Sequence, residues 1–122
     1  MLYKEFVPYE QSLVLKELGF DEPCFAFYNG KFIQSTEFDF DSYNSIDVGH
    51  HPLAPTFSQA FRWFRDKYQI DSWIYPNLNG LYSVSIVRRG VGLGNLSQYQ
   101  TYPEAELSCL IKLIEIAKEN KQ

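Results

Sequence analysis

The sequence predicts an α+β fold in the order α-β-β-α-β-β-α, a mostly antiparallel four-stranded sheet packed with helices. Two observations carry that expectation. Each of two Asn-Gly dipeptides, Asn29-Gly30 and Asn79-Gly80, sits between runs rich in β-branched and aromatic residues, the strongest short-range hairpin signal. Three segments of helical apolar spacing, at residues 8–18, 56–68 and 101–118, bracket and separate those hairpins, each with a start or stop signal of its own. A chain of 122 residues fits one α+β domain, residues 1–122, and is long enough to bury a core without metal or disulfide staples.

The first helix starts near Pro8, whose fixed φ suits a first turn, and runs to Leu18, where Gly19 stops it in the left-handed cap position. A hairpin follows. With Asn29-Gly30 as a two-residue turn, Phe27 pairs with Phe32 and Ala26 with Ile33, so both faces are apolar. Residues 36–55 are a long acidic segment: Glu37, Asp39, Asp41 and Asp47 alternate with Phe38, Phe40 and Tyr43 before Gly49-His50-His51-Pro52. Long loops in compact domains are often functional or disordered.

Thr56-Phe57-Ser58-Gln59 has the form of a capping box opening the second helix, whose apolar stripe is Phe57, Ala60, Phe61, Phe64 and Tyr68. In the second hairpin, Asn79-Gly80 as a two-residue turn sets Tyr75 opposite Val84 and Trp73 opposite Ile86, leaving Ser72, Ile74, Ser83, Ser85 and Val87 on a half-solvated face. Gly90-Val91-Gly92-Leu93-Gly94 reads as a flexible connector. It follows a strand, but the next helix begins too late to aim its N-terminus at a phosphate. Thr101-Tyr102-Pro103-Glu104 caps the last helix. Its apolar residues wrap over half the circumference, which requires cover on two sides, from the core or from a second copy in a homo-oligomer.

Composition narrows the function classes. The net charge is −4, opposing non-specific binding to nucleic acid or anionic membranes. No stretch reaches the length of a membrane span and the N-terminus lacks a signal-peptide pattern, so no membrane partner is expected and the cytoplasm is the expected compartment. Cys24 and Cys109 read as buried free thiols. His50-His51 with the nearby aspartates lacks the glycine and terminal glutamate of a calcium loop and forms no closed ligand set, so neither metal nor cofactor is expected. No Ser, Cys or His constellation supports nucleophilic catalysis, and the chain reads as a non-enzyme.

The aromatic content is the unusual quantity. Ten Phe, nine Tyr and two Trp exceed what a core of this size needs, and surface rings favour recognition. Arg62, Trp63 and Arg65 on the second helix, with Arg88 and Arg89 at the end of the fourth strand, form the expected binding surface, because Arg and Trp dominate interface energies. The sequence therefore predicts a non-catalytic protein-interaction module with an unidentified protein partner. The alternative is a binder of nucleotides or single-stranded nucleic acid, through stacking and arginine contacts.

Four stretches carry a resemblance: Phe6-Val7-Pro8-Tyr9-Glu10-Gln11, Leu15-Lys16-Glu17-Leu18-Gly19-Phe20, Ala54-Pro55-Thr56-Phe57-Ser58-Gln59-Ala60-Phe61-Arg62-Trp63-Phe64-Arg65, and Tyr102-Pro103-Glu104-Ala105-Glu106. Through them the chain resembles small uncharacterised proteins carried by phages and mobile elements of gut bacteria. The resemblance implies an accessory role and brings no activity, cofactor or catalytic residue with it.

The lack of a closed ligand set generates one prediction: a strong chelator leaves the thermal midpoint unchanged. Differential scanning calorimetry with and without chelator checks it, and a large drop would bring His50 and His51 forward.

Overall fold

A computed structural model describes residues 5–35, 43–44, 48–88 and 91–119. The elements are α1 (Tyr9–Glu17), β1 (Ala26–Asn29), β2 (Phe32–Ser35), α2 (Phe57–Tyr68), β3 (Ile70–Pro76), β4 (Tyr82–Arg88), β5 (Val91–Tyr99) and α3 (Tyr102–Glu119). The fold is α+β. In place of one four-stranded sheet, the strands form a two-stranded sheet, β1-β2, and a three-stranded sheet, β3-β4-β5, both antiparallel. The chain divides into two compact units, residues 1–60 and 61–122. Among the described residues no helix is long and apolar enough to cross a membrane.

The first unit is tied together at Val7. Its N–H donates to the Pro55 carbonyl at 2.8 Å, beside a bridge between Phe6 and Thr56. Its own carbonyl accepts the Tyr28 hydroxyl at 2.7 Å and the Ser12 hydroxyl at 3.2 Å. Val7 and Ser12 are fully buried and Tyr28 nearly so, and burial pushes the Tyr28 phenol above its ordinary range. The Tyr28 ring meets Tyr9 edge-on at 5.5 Å. Three chain segments thus converge on the backbone of one residue.

α1 follows directly and stops as expected. Gly19 takes a φ of 98°, its N–H donates to the Lys16 carbonyl, and the Phe20 N–H reaches back to Leu15. That is the paired bonding of a Schellman cap, for which glycine is the unstrained residue. The β1-β2 hairpin differs in register from the expectation. Tyr28 pairs with Ile33 and Asn29 with Phe32, so Gly30-Lys31 is the turn. Gly30 is at a φ of 63° while Asn29 is not in the left-handed region. One left-handed position, first in the turn and filled by glycine, is the requirement of a type II′ turn; the type I′ reading needed two. The other edge of β1 is bonded to residues 52–54, through Tyr28 N–H to Pro52 and Ala54 N–H to the Ala26 carbonyl, both at 2.9 Å.

α2 starts at its cap: Thr56 Oγ1 accepts the Gln59 N–H at 3.1 Å. The Gln59 side chain donates to the Pro23 carbonyl at 2.7 Å. The helix ends at Gln69, a non-glycine residue with a φ of 57°, whose Nε2 donates to the Asp66 carbonyl at 3.0 Å. That bond offsets part of the left-handed cost of roughly 1 kcal/mol.

In the second unit α3 packs across all three strands. Thr101 caps it by accepting the Glu104 N–H at 3.2 Å. Ala105, Cys109, Leu110, Leu113, Ile114, Ile116 and Ala117 are buried, and Tyr102 and Ile111 are its exposed large hydrophobics. The broad apolar surface of this helix is therefore largely covered within the chain.

The β3-β4 register corrects the expectation by one residue. Tyr75 opposes Ser83, Ile74 opposes Val84, Trp73 opposes Ser85 and Ser72 opposes Ile86. The cause is the loop. Asn77 N–H donates to the Leu81 carbonyl at 2.8 Å, the Gly80 N–H returns to the Asn77 carbonyl, and Gly80 is at a φ of 79°. This is a three-residue loop, Leu78-Asn79-Gly80, with a left-handed glycine closing it. The Asn77 side chain holds it: Oδ1 accepts the Asn79 and Leu81 N–H groups at 2.9 and 3.1 Å, and Nδ2 donates to Ser83 Oγ at 3.1 Å.

The glycine-rich segment is also corrected. It is the start of β5, paired from Arg88↔Val91 through Tyr82↔Tyr99. Its register shifts between Ile86 and Val87, opposite Gly94 and Gly92, and again between Tyr82 and Val84, near Gln98 at a φ of 75°. Glycine inside a strand commonly marks such bulges.

Two predictions follow from these knots. Asn77→Ala removes three side-chain bonds from a mostly exposed loop and costs about 1–2 kcal/mol in urea unfolding. Tyr28→Phe and Ser12→Ala each leave the buried Val7 carbonyl one donor. Their combination leaves none, and its cost exceeds the sum of the singles by about 1 kcal/mol.

Candidate functional site

The three-stranded sheet has a covered face and an open face. Ile70, Val84 and Ile86 are buried, and α3 packs on β3 and β4, so residues 70, 72 and 74 of β3 face the helix with 84 and 86 of β4. Strand alternation then sends Asp71, Trp73 and Tyr75, with Ser83, Ser85 and Val87, to the opposite face, where the two rings are exposed, Asp71, Ser85 and Val87 are half-buried and Ser83 is buried. Trp73 is 52% exposed and Tyr75 44%. A serine stands opposite each ring, so neither ring has a large cross-strand neighbour to pack on. Asp71 is the charged member of this row, and no residue of the three strands' open face is basic among those described.

The expected arginine surface is altered by Trp63. The Trp63 side chain is buried, with its ring edge-on to Phe64 at 5.1 Å and to Tyr68 at 5.7 Å. Lys67 Nζ lies 5.0 Å from the Trp63 ring centroid and 5.7 Å from that of Tyr68. The buried arc of α2 is Phe57, Ala60, Trp63 and Phe64, with Phe61 and Tyr68 only partly buried. At about 100° per residue, this arc is rotated toward Trp63 and away from Phe61 relative to the expected stripe. Arg62 and Arg65 are exposed on α2, as expected. Arg88 is half-buried and pairs with Ile70, on the α3-facing side of the sheet. Arg89 lies outside the described residues. The aromatic centre of the expected surface is therefore unavailable, and Arg88 points away from the open sheet face.

In the first unit, Phe25 and Phe32 are exposed, while Phe27 meets Tyr43 edge-on at 4.8 Å and His51 at 5.9 Å. His50 and His51 stack at 4.2 Å. Glu37, Phe38, Asp39, Phe40, Asp41 and Asp47 of the acidic segment lie outside the described residues. Among the described residues no three His, Cys, Asp or Glu side chains are grouped to hold a metal ion.

Both thiols are buried and free. Burial pushes Cys24 from an ordinary 9.0 up to about 12, with the Glu22 carboxylate adding to the rise and a hydrogen bond from Gln59 opposing it. Cys109 is pushed up to about 11, again mainly by burial. Thiols held protonated this firmly are poor nucleophiles near neutrality.

The chain matches no family model, no curated protein and no solved structure.

The open sheet face could not be located from sequence, because Trp73 was assigned to the Val84 side by the two-residue turn. The signal that finds it is Asn77, placed to accept from a three-residue loop.

The thiols generate a pH prediction. A group whose folded pKa is raised contributes stability that is present below its unfolded pKa and lost as pH rises through the folded value. Stability accordingly falls between pH 9 and about 12, and Cys24→Ala flattens that fall in denaturant titrations. At pH 8 neither thiol reacts with a thiol-specific reagent until the chain unfolds.

Proposed function

We propose that this chain is a non-catalytic protein-interaction module that binds its partner through the open face of the β3-β4-β5 sheet. The observation that carries this reading is the pair Trp73 and Tyr75, half-exposed two residues apart on a regular strand. A strand holds them more rigidly than a loop, so little entropy is lost on binding. Rings of this kind, fixed on a scaffold with serines directly opposite, are the usual anchors of protein contacts.

Single-stranded nucleic acid is the weaker reading. Stacking rings are present, but a nucleic-acid groove needs cations along the backbone path. Among the described residues of this face the charged side chain is Asp71, and Arg88 belongs to the other side. A contact-based role suits the accessory function that the resemblance to mobile-element proteins implies.

The test compares three forms of the chain in affinity capture from a cell lysate, with protein and nucleic acid both identified and salt titrated. Trp73→Ala/Tyr75→Ala is expected to lose no more than about 1–2 kcal/mol of stability, since both rings are only about half-buried. It is expected to lose about tenfold or more in partner affinity. Arg62→Ala/Arg65→Ala is expected to retain the partner. Equal retention by the Trp73/Tyr75 variant, or a captured nucleic acid released steeply by salt, would overturn the reading.

A further inference from the structure

We infer that the partner enters as an extended, cationic peptide segment added antiparallel to the free edge of β3, with one arginine or lysine opposite Trp73. This inference rests on the open-face reading above and specifies its ligand. It starts from the hydrogen-bond phase of β3. Asn77 N–H donates to Leu81, so residue 77 points its backbone toward β4. Alternation makes Tyr75, Trp73 and Asp71 point the same way and turns the N–H and C=O of Ser72 and Ile74 outward. Pro76, which has no N–H, falls on an outward position, where its loss breaks no ladder bond. β3 is the edge of its sheet, and among the described residues no backbone bond reaches the outward groups of Ser72 and Ile74.

An antiparallel strand bonding to Ser72 and Ile74 meets Trp73 at a non-hydrogen-bonded pair, the closer kind, with Cα atoms about 4.5 Å apart. The residue opposite Trp73 projects onto the open face. Its diagonal neighbours on β3 are Tyr75 and Asp71, within reach of a long side chain. One ring opposite, a second ring on one diagonal and a carboxylate on the other is a site for a cation: rings attract it through their faces and the carboxylate neutralises it. The chain already uses this chemistry internally, where Lys67 Nζ sits over Trp63 and Tyr68. The residues flanking the cation turn to the side of Ile74, which favours apolar ones. A net charge of −4 attracts such a segment at long range.

A second copy of the chain fits this edge less well. Centred on Trp73, it would set Trp73 against Trp73 and Asp71 against Tyr75, leaving both carboxylates without a cation.

A random peptide library displayed on phage tests this, selected in parallel on the wild type and on Trp73→Ala/Tyr75→Ala. The expected winners carry an apolar–Arg/Lys–apolar pattern. A synthesised winner is expected to slow amide hydrogen exchange at Ser72 and Ile74, and to weaken about tenfold when its cation is replaced by leucine. Asp71→Asn, which preserves side-chain shape, is expected to weaken it about threefold to tenfold, less at high salt. No enrichment over the Trp73/Tyr75 variant would overturn both this inference and the open-face reading. Ring-dependent winners without a cation, or without protection of the Ser72 and Ile74 amides, would overturn the inference alone. So would protection of those amides that rises with protein concentration and no peptide, which would give the edge to a second copy.

Discussion

The second unit depends on how Asn77 closes one loop. Its carboxamide gathers the N–H groups of Asn79 and Leu81 and reaches Ser83, which makes the β3-β4 connection three residues long. Because side chains alternate with period two, a loop longer or shorter by one residue exchanges the partners of an entire strand. With the three-residue loop, Ile74 and Ser72 join Val84 and Ile86 beneath α3, and Trp73 and Tyr75 stand beside serines on the other face. With a two-residue loop the two rings would share a side with Val84 and Ile86. The existence of an open aromatic face is therefore a consequence of loop chemistry four residues away from Trp73, and the same loop fixes which backbone groups of β3 point to the free edge.

The first unit solves a different problem. It has few strand residues and must pin an N-terminal segment, a helix and a hairpin to one another. It does so at Val7, a buried residue whose backbone N–H and C=O are both hydrogen-bonded. An unpaired buried carbonyl costs about 1–3 kcal/mol, so the arrangement is specific as well as stabilising: Tyr28 and Ser12 satisfy Val7 only when α1 and β1 are both in place. The phenol of Tyr28 also explains part of the high aromatic content. A tyrosine there fills core volume with its ring and places a donor at the far end.

Element type was legible in the sequence wherever a local device decides it. Gly19 terminates α1 and Thr56 and Thr101 cap their helices as expected, because caps are satisfied within a few residues of chain. Register was less legible. Asn-Gly marked both hairpins, but in each the glycine alone adopts the left-handed conformation, so the turn is displaced from the dipeptide. β5 was hidden because glycines at 92 and 94 suppress the alternating pattern, and its bulges shift the pattern twice. The side of the sheet on which Trp73 and Tyr75 stand follows from that register. Trp63 stood at the edge of a helical stripe, and only packing rotates the buried arc onto it; Trp73 was on the right strand but assigned to the wrong side.

The distribution of rings separates structural from available aromatics, and this separation sharpens the functional argument more than their number does. Phe57, Trp63 and Phe64 are buried on α2 and Tyr28 ends at a buried carbonyl, so a general abundance of rings is accounted for by the cores of the two units. Trp73 and Tyr75 are different. They occupy a strand whose opposite side already supplies Ile70 and Ile74 to the packing under α3, and their own side faces serines. About half of each ring's surface stays exposed there, contributes nothing to packing and carries the aggregation hazard of an apolar edge. Asp71 and Pro76 at the two ends of β3 limit that hazard by shortening the stretch a stray strand can use. What they leave open, from Ser72 to Tyr75, is wide enough for one short extended segment and carries the rings to recognise it.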